Sequence, residues 1–141
     1  MGTIGKTFVS AEKCNRMPAM SDTKTTVQAL KARVQKFNEE RDWSKFHDPK
    51  NLAEALSIEA GELLEHFLWK DKKEIAKLLE KDAAYRQEIS DELGDIFSWV
   101  LQLSHVMHID LATALHTKYE KNAKKYPVEK AKGNNIKYNK L

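Results

Sequence analysis

Cysteine is almost absent. Cys14 stands alone among 141 residues, so no disulfide closes within the chain, and the expected setting is reducing and cytoplasmic. No apolar run reaches the roughly 18 residues that a membrane-spanning helix needs, so no membrane partner is expected. The first twenty residues lack the apolar stretch of a signal peptide, and Lys6 stands where a myristoylation signal requires Ser or Thr. They also lack helical periodicity, so residues 1–19 are read as an N-terminal extension or leader, with Met20 as the more ordinary start. A net charge of +3 is too small to call for nucleic acid, and none is expected as a partner. No stretch reads as a strand. No Glu is followed three residues later by His, which removes the Glu-x-x-His pattern of di-iron and di-manganese bundles.

What is present is helical. Hydrophobic residues at 41% and charged residues at 32% fit one domain with a core. Behind Ser21 and Asp22 as caps, Val27, Leu30, Val34 and Phe37 predict a helix over 23–41. A loop runs from Trp43 to Lys50. Asn51 then caps a helix over 52–70, with Leu52, Leu56, Leu63 and Phe67 on its apolar face. A short helix covers 73–80. A long one covers 83–107, with Ile89, Leu93, Ile96, Val100, Leu103 and Met107 facing the core. Asp110 caps a last helix over 111–125, which Pro127 ends. The expected architecture is an all-α bundle of four to five helices. The catalytic domain is placed at 20–130 and a polar tail at 131–141.

Two eight-residue blocks are near-copies. Residues 56–63 read Leu-Ser-Ile-Glu-Ala-Gly-Glu-Leu and residues 89–96 read Ile-Ser-Asp-Glu-Leu-Gly-Asp-Ile. Acids three apart share a helix face, so each block makes a carboxylate pair, Glu59 with Glu62 and Glu92 with Asp95. The leading acids sit on the edge of an apolar stripe, where a charge is costly unless it is paired or binds a metal. If the two stripes pack together, four oxygen donors converge, as a hard cation such as Mg²⁺ selects, with Mn²⁺ as its substitute. Each block also carries a mid-helix glycine, Gly61 and Gly94, at a cost of about 1 kcal/mol relative to Ala. Both point away from the acids, which predicts a close-packed helix on the far side, a subunit interface among the candidates.

Two further sets carry chemistry. From Ala112 to Leu141 eight Lys face two Glu. Within that run Lys118, Lys121, Asn122 and Lys125 share one helix face and suit a phosphate chain. Trp43, Trp69 and Trp99 offer flat rings for a nucleobase, with His47 beside Trp43 to read its edge.

The paired acids resemble the motif of the all-α nucleotide pyrophosphohydrolases, the MazG-like proteins among them. The run from Glu40 to His47, Pro49-x-Asn51-Leu52, Gly61-Glu62-Leu63, Trp69-Lys70 and Lys124-Lys125-Tyr126-Pro127 is similar to the small branch that contains the dCTP pyrophosphatases. The resemblance implies hydrolysis of a deoxynucleoside triphosphate to monophosphate and pyrophosphate, for nucleotide-pool housecleaning. dCTP or its modified forms come first and dATP next. It implies Mg²⁺ on Glu59, Glu62, Glu92 and Asp95, with Glu59 or Glu62 activating water. Lys118, Asn122 and Lys125 are expected on phosphate, and Trp43, His47, Trp69 and Trp99 on the base. It further implies a homotetramer, a dimer of tight dimers. The rival readings are a non-catalytic helical interaction module and a nucleotide sensor.

Overall fold

A computed structural model describes residues 20–140. The N-terminal extension and Cys14 lie outside the described residues, which hold six α-helices, two 3₁₀ turns and no strand. Helix α1 is Val27–Glu39. It begins later than periodicity predicts, because Thr26 is the cap, its side chain accepting from the Ala29 amide. Ser21 makes a preceding turn, its carbonyl accepting from the Lys24 and Thr25 amides.

A 3₁₀ turn at Ser44–Phe46 leads to α2, Pro49–Glu65. Asp48, not Asn51, caps this helix, accepting from the Lys50 and Asn51 amides. Pro49 fits the first helical position, where no amide hydrogen is needed. Asn51 serves the loop instead, donating to the Phe46 carbonyl at 3.1 Å. Helix α2 ends five residues before the expected 70, in a turn that puts Trp69 at φ 62°. Helices α3 (Lys72–Lys81), α4 (Ala83–Val106) and α5 (Leu111–Lys125) start on Asp71, Asp82 and Asp110. Beyond Pro127 the chain adds a one-turn helix α6, Val128–Ala131, and the polar tail ends in a 3₁₀ turn at Tyr138–Lys140, with Tyr138 edge-on to Tyr126 at 5.9 Å.

The main packing is α2 against α4, with α1 and α3 flanking α4. Leu52, Tyr85, Ile89 and Leu101 are the buried apolar side chains among the described residues. Leu93 and Met107, expected in the core, are exposed, Leu93 at 52%. The reason is that α4 has neighbours on more than one side: Tyr85 reaches the end of α2 through its bond to the His66 carbonyl, Gln102 meets Asn38 of α1, and Leu93 and Phe97 are left exposed. Nothing in the chain lies within 4 Å of a Cβ added at Gly61 or Gly94. Among the described residues, then, no helix presses on either glycine, and the expected close packing is not seen.

Candidate active site

The α2–α4 seam brings the two repeated blocks face to face. Glu59 and Glu62 come from α2 and Glu92 from α4, and one carboxylate oxygen of each lies within 4.8 Å of the others. Asp95, one turn beyond Glu92, is outside this group, though its charge still bears on Glu62. The carboxyl of Glu62 is held above its ordinary value, first by the neighbouring Glu59 carboxylate, then by desolvation, then by Glu92, Glu65 and Asp95. Uncompensated negative charge of this kind fits a divalent cation, and the donors are the hard oxygens that Mg²⁺ or Mn²⁺ takes.

Neighbours stand against two of the three acids. Trp99 donates its indole N–H to Glu59 Oε1 at 3.3 Å. Glu92 Oε1 lies 3.8 Å from His66 Nε2, and the other ring nitrogen faces Glu88 Oε2 at 3.8 Å. Tyr85 holds that turn in place, its hydroxyl donating to the His66 carbonyl at 2.8 Å. His66 is a site neighbour that spacing along the chain does not show, because its acidic partners lie on another helix.

Two openings border the acids. Toward α3, a groove of about 570 Å³ is lined by Glu62, Glu65, His66, Lys70, Glu88 and Glu92 among others. Toward α1, a hollow of about 330 Å³ is lined by Trp43, Trp99, Asp95, Asn38 and Gln102 among others. Its size is at the lower end for small-ligand pockets, about 300–1,000 Å³. Two of the three tryptophans thus meet in it, Trp43 braced edge-on by Phe37 at 5.8 Å. His47 reaches the same neighbourhood, edge-on to Trp99 at 6.0 Å. Trp69 does not join them and is 97% exposed. Lys118, Asn122 and Lys125 stand on α5, which packs broadly against no other helix and lines neither opening. Lys125 lies over the Tyr138 ring at 4.8 Å.

Comparison with known proteins accords with this geometry. The sequence profile of the MazG-like family matches residues 55–141. Mouse dCTP pyrophosphatase 1 is 34% identical over 142 residues, covering 99% of this chain and 79% of its own length. The human protein of the same name is 33% identical over 116 residues, covering 82% of this chain and 68% of its own length. Among solved structures, a pyrophosphatase from Archaeoglobus fulgidus matches with a TM-score of 0.67 at 34% identity, covering 77% of this chain and 99% of that one. The chain belongs to the MazG-like family. In class it is a nucleoside triphosphate pyrophosphohydrolase, and the non-catalytic module is set aside.

Proposed function

We propose that the chain hydrolyses deoxynucleoside triphosphates to monophosphate and pyrophosphate, with dCTP or its modified forms preferred and dATP next. The observation that carries this is the convergence of Glu59, Glu62 and Glu92 beside an aromatic hollow that Trp99 shares with Asp95. The relatives named for dCTP support the choice of base. Glu59, Glu62, Glu92 and Asp95 would hold Mg²⁺, or Mn²⁺ in its place. When bound, the cation supplies neutralisation of the triphosphate charge and a lower pKa for the attacking water.

The chain's own residues do the rest. Glu59 or Glu62 accepts a proton from the water that attacks the α-phosphorus in line. The Trp99 indole fixes one Glu59 oxygen, and the His66 ring stands against Glu92. Lys118, Asn122 and Lys125 stabilise charge on the departing pyrophosphate. They reach it from α5 of the same subunit or of a neighbouring one. Trp43, Trp99 and His47 enclose the base, and Trp69 completes the wall from a neighbouring subunit. The working unit is a homotetramer, a dimer of dimers. Supporting it are the outward apolar face of Leu93 and Phe97, the open space at Gly61 and Gly94, and the bare indole of Trp69. The setting is cytoplasmic, and among the described residues no helix is long and apolar enough to cross a membrane. The role is clearance of unwanted deoxynucleotides.

The test is pyrophosphate release from a panel of canonical and modified dNTPs and NTPs, with Mg²⁺, Mn²⁺ or EDTA. Metal-dependent release led by dCTP is expected. Release led by another base refutes the substrate choice, and release that persists in EDTA refutes the metal role.

A further inference from the structure

The aromatic hollow ends on two carboxamides that its aromatic walls do not require. Asn38, from α1, is 6% exposed and Gln102, from α4, is 7% exposed, and both line the hollow with Trp43 and Trp99. Asn38 Nδ2 donates to Gln102 Oε1 at 2.8 Å. That bond uses one amide hydrogen and one carbonyl oxygen. It leaves the Asn38 oxygen as an acceptor and the Gln102 amide hydrogens as donors, the latter with Ser98 Oγ at 3.5 Å. No buried side-chain polar atom among the described residues lacks a partner. The Asn38 oxygen, which takes part in no such bond, therefore has access to open space, while the Gln102 amide is held only by the long contact to Ser98. The pair also borders a second cavity of about 310 Å³, where Gln35 Nε2 and His105 Nδ1 already satisfy each other at 2.7 Å. The side of the pair that meets flat rings and a carboxylate is the one toward Trp99 and Asp95.

We infer that Asn38 and Gln102 are a specificity-determining pair that reads the edge of the base, and that they favour a base carrying an exocyclic amine beside a ring nitrogen, cytosine or adenine. The inference rests on the reading of the chain as a dNTP pyrophosphohydrolase. Such an edge presents a donor next to an acceptor. The Asn38 oxygen accepts from the amine while the Gln102 amide donates to the ring nitrogen. Uracil, thymine and guanine present a carbonyl beside an N–H, which reverses the order. A buried polar pair discriminates by hydrogen bonds where an apolar pocket discriminates weakly. The pair is held by α1 and α4 rather than by a loop, so its position is set before substrate arrives.

The test is the double variant Asn38→Leu, Gln102→Met, which replaces both partners with apolar groups of similar shape and so leaves no unpaired amide. Pyrophosphate release is measured on dCTP, dTTP, dATP, dGTP and base-free deoxyribose 5′-triphosphate. The preference in kcat/KM for dCTP over dTTP and for dATP over dGTP is expected to fall on the order of tenfold or more. Turnover of the base-free triphosphate is expected to stay at the wild-type value. An unchanged ranking overturns the inference. So does an equal loss on every substrate, base-free included, which marks the pair as a structural tie between α1 and α4.

A second measurement uses the wild-type oligomer and covers a variant that does not fold. The side-chain amide resonances of Asn38 and Gln102 are followed by NMR with an α,β-imido analogue of dCTP and with imidotriphosphate. Shifts with the nucleotide and none with imidotriphosphate are expected. Absence of a nucleotide-specific shift overturns the inference. A wild-type chain that binds the analogue through these amides yet releases no pyrophosphate refutes the hydrolase reading and leaves the base reading standing.

Discussion

Trp99→Phe isolates one hydrogen bond at the centre of the proposed site. The indole N–H lies 3.3 Å from Glu59 Oε1, and phenylalanine keeps a ring while deleting that donor. A hydrogen bond to a charged group contributes about 1.5–3 kcal/mol, and a 3.3 Å separation in a half-buried setting belongs at or below the low end of that range. If the bond holds the carboxylate in its working orientation, its loss costs about 1.4 kcal/mol in the transition state, or about tenfold in kcat. The assay is steady-state pyrophosphate release from dCTP at saturating Mg²⁺, with KM and the Mg²⁺ concentration for half-maximal rate measured alongside. A fall in kcat with a weaker Mg²⁺ dependence shows the indole acting through Glu59. A rise in KM with kcat and Mg²⁺ response unchanged refutes the reasoning, and makes Trp99 a stacking surface only.

Three further outcomes follow from the same geometry. Glu62→Gln removes the carboxyl that its neighbours hold high, so the metal-free chain should melt at a higher temperature while turnover collapses. The sign is fixed by linkage. A raised carboxyl binds its proton more readily in the fold, so its ionised form costs stability above its folded pKa, and that cost vanishes as pH falls through it. The wild type minus Glu62→Gln difference in melting temperature should therefore shrink on acidification, and a difference that grows contradicts the assignment. Asp95→Asn should nearly abolish pyrophosphate release with the circular dichroism spectrum unchanged, and retained turnover removes Asp95 from the cation site. Leu93→Asp places a charge on the outward apolar face of α4 and should lower the oligomeric mass in light scattering, whereas an unchanged mass moves the interface elsewhere.

The acids were legible in the sequence because i, i+3 spacing is a property of the helix alone. Glu59, Glu62 and Glu92 needed only that their two stripes pack, which α2 and α4 do. Helices α3, α4 and α5 are legible for the same reason, and Asp110 caps the last of them as its place before the periodic run predicts. The start of α1 was not, because Ser21, Asp22 and Thr26 are all competent caps and tertiary context selects among them. Asn51 and Asp48 posed the same ambiguity three residues apart. Leu93 lies on the apolar stripe of α4 yet is exposed, because several helices share the packing on α4 and a single stripe does not encode which side each one takes. Asn38, Gln102 and His66 were hidden for a different reason. Each meets its partner across two helices, and no local spacing encodes that meeting.

The central claim is that the repeated acids hold the cation on which triphosphate cleavage depends. Calorimetric titration of Mg²⁺ into wild type and Glu92→Gln, with pyrophosphate release from dCTP measured on the same samples, tests it most directly. The variant is expected to stay folded and to lose metal binding and turnover together. A Glu92→Gln chain that binds Mg²⁺ and cleaves dCTP as the wild type does would contradict it.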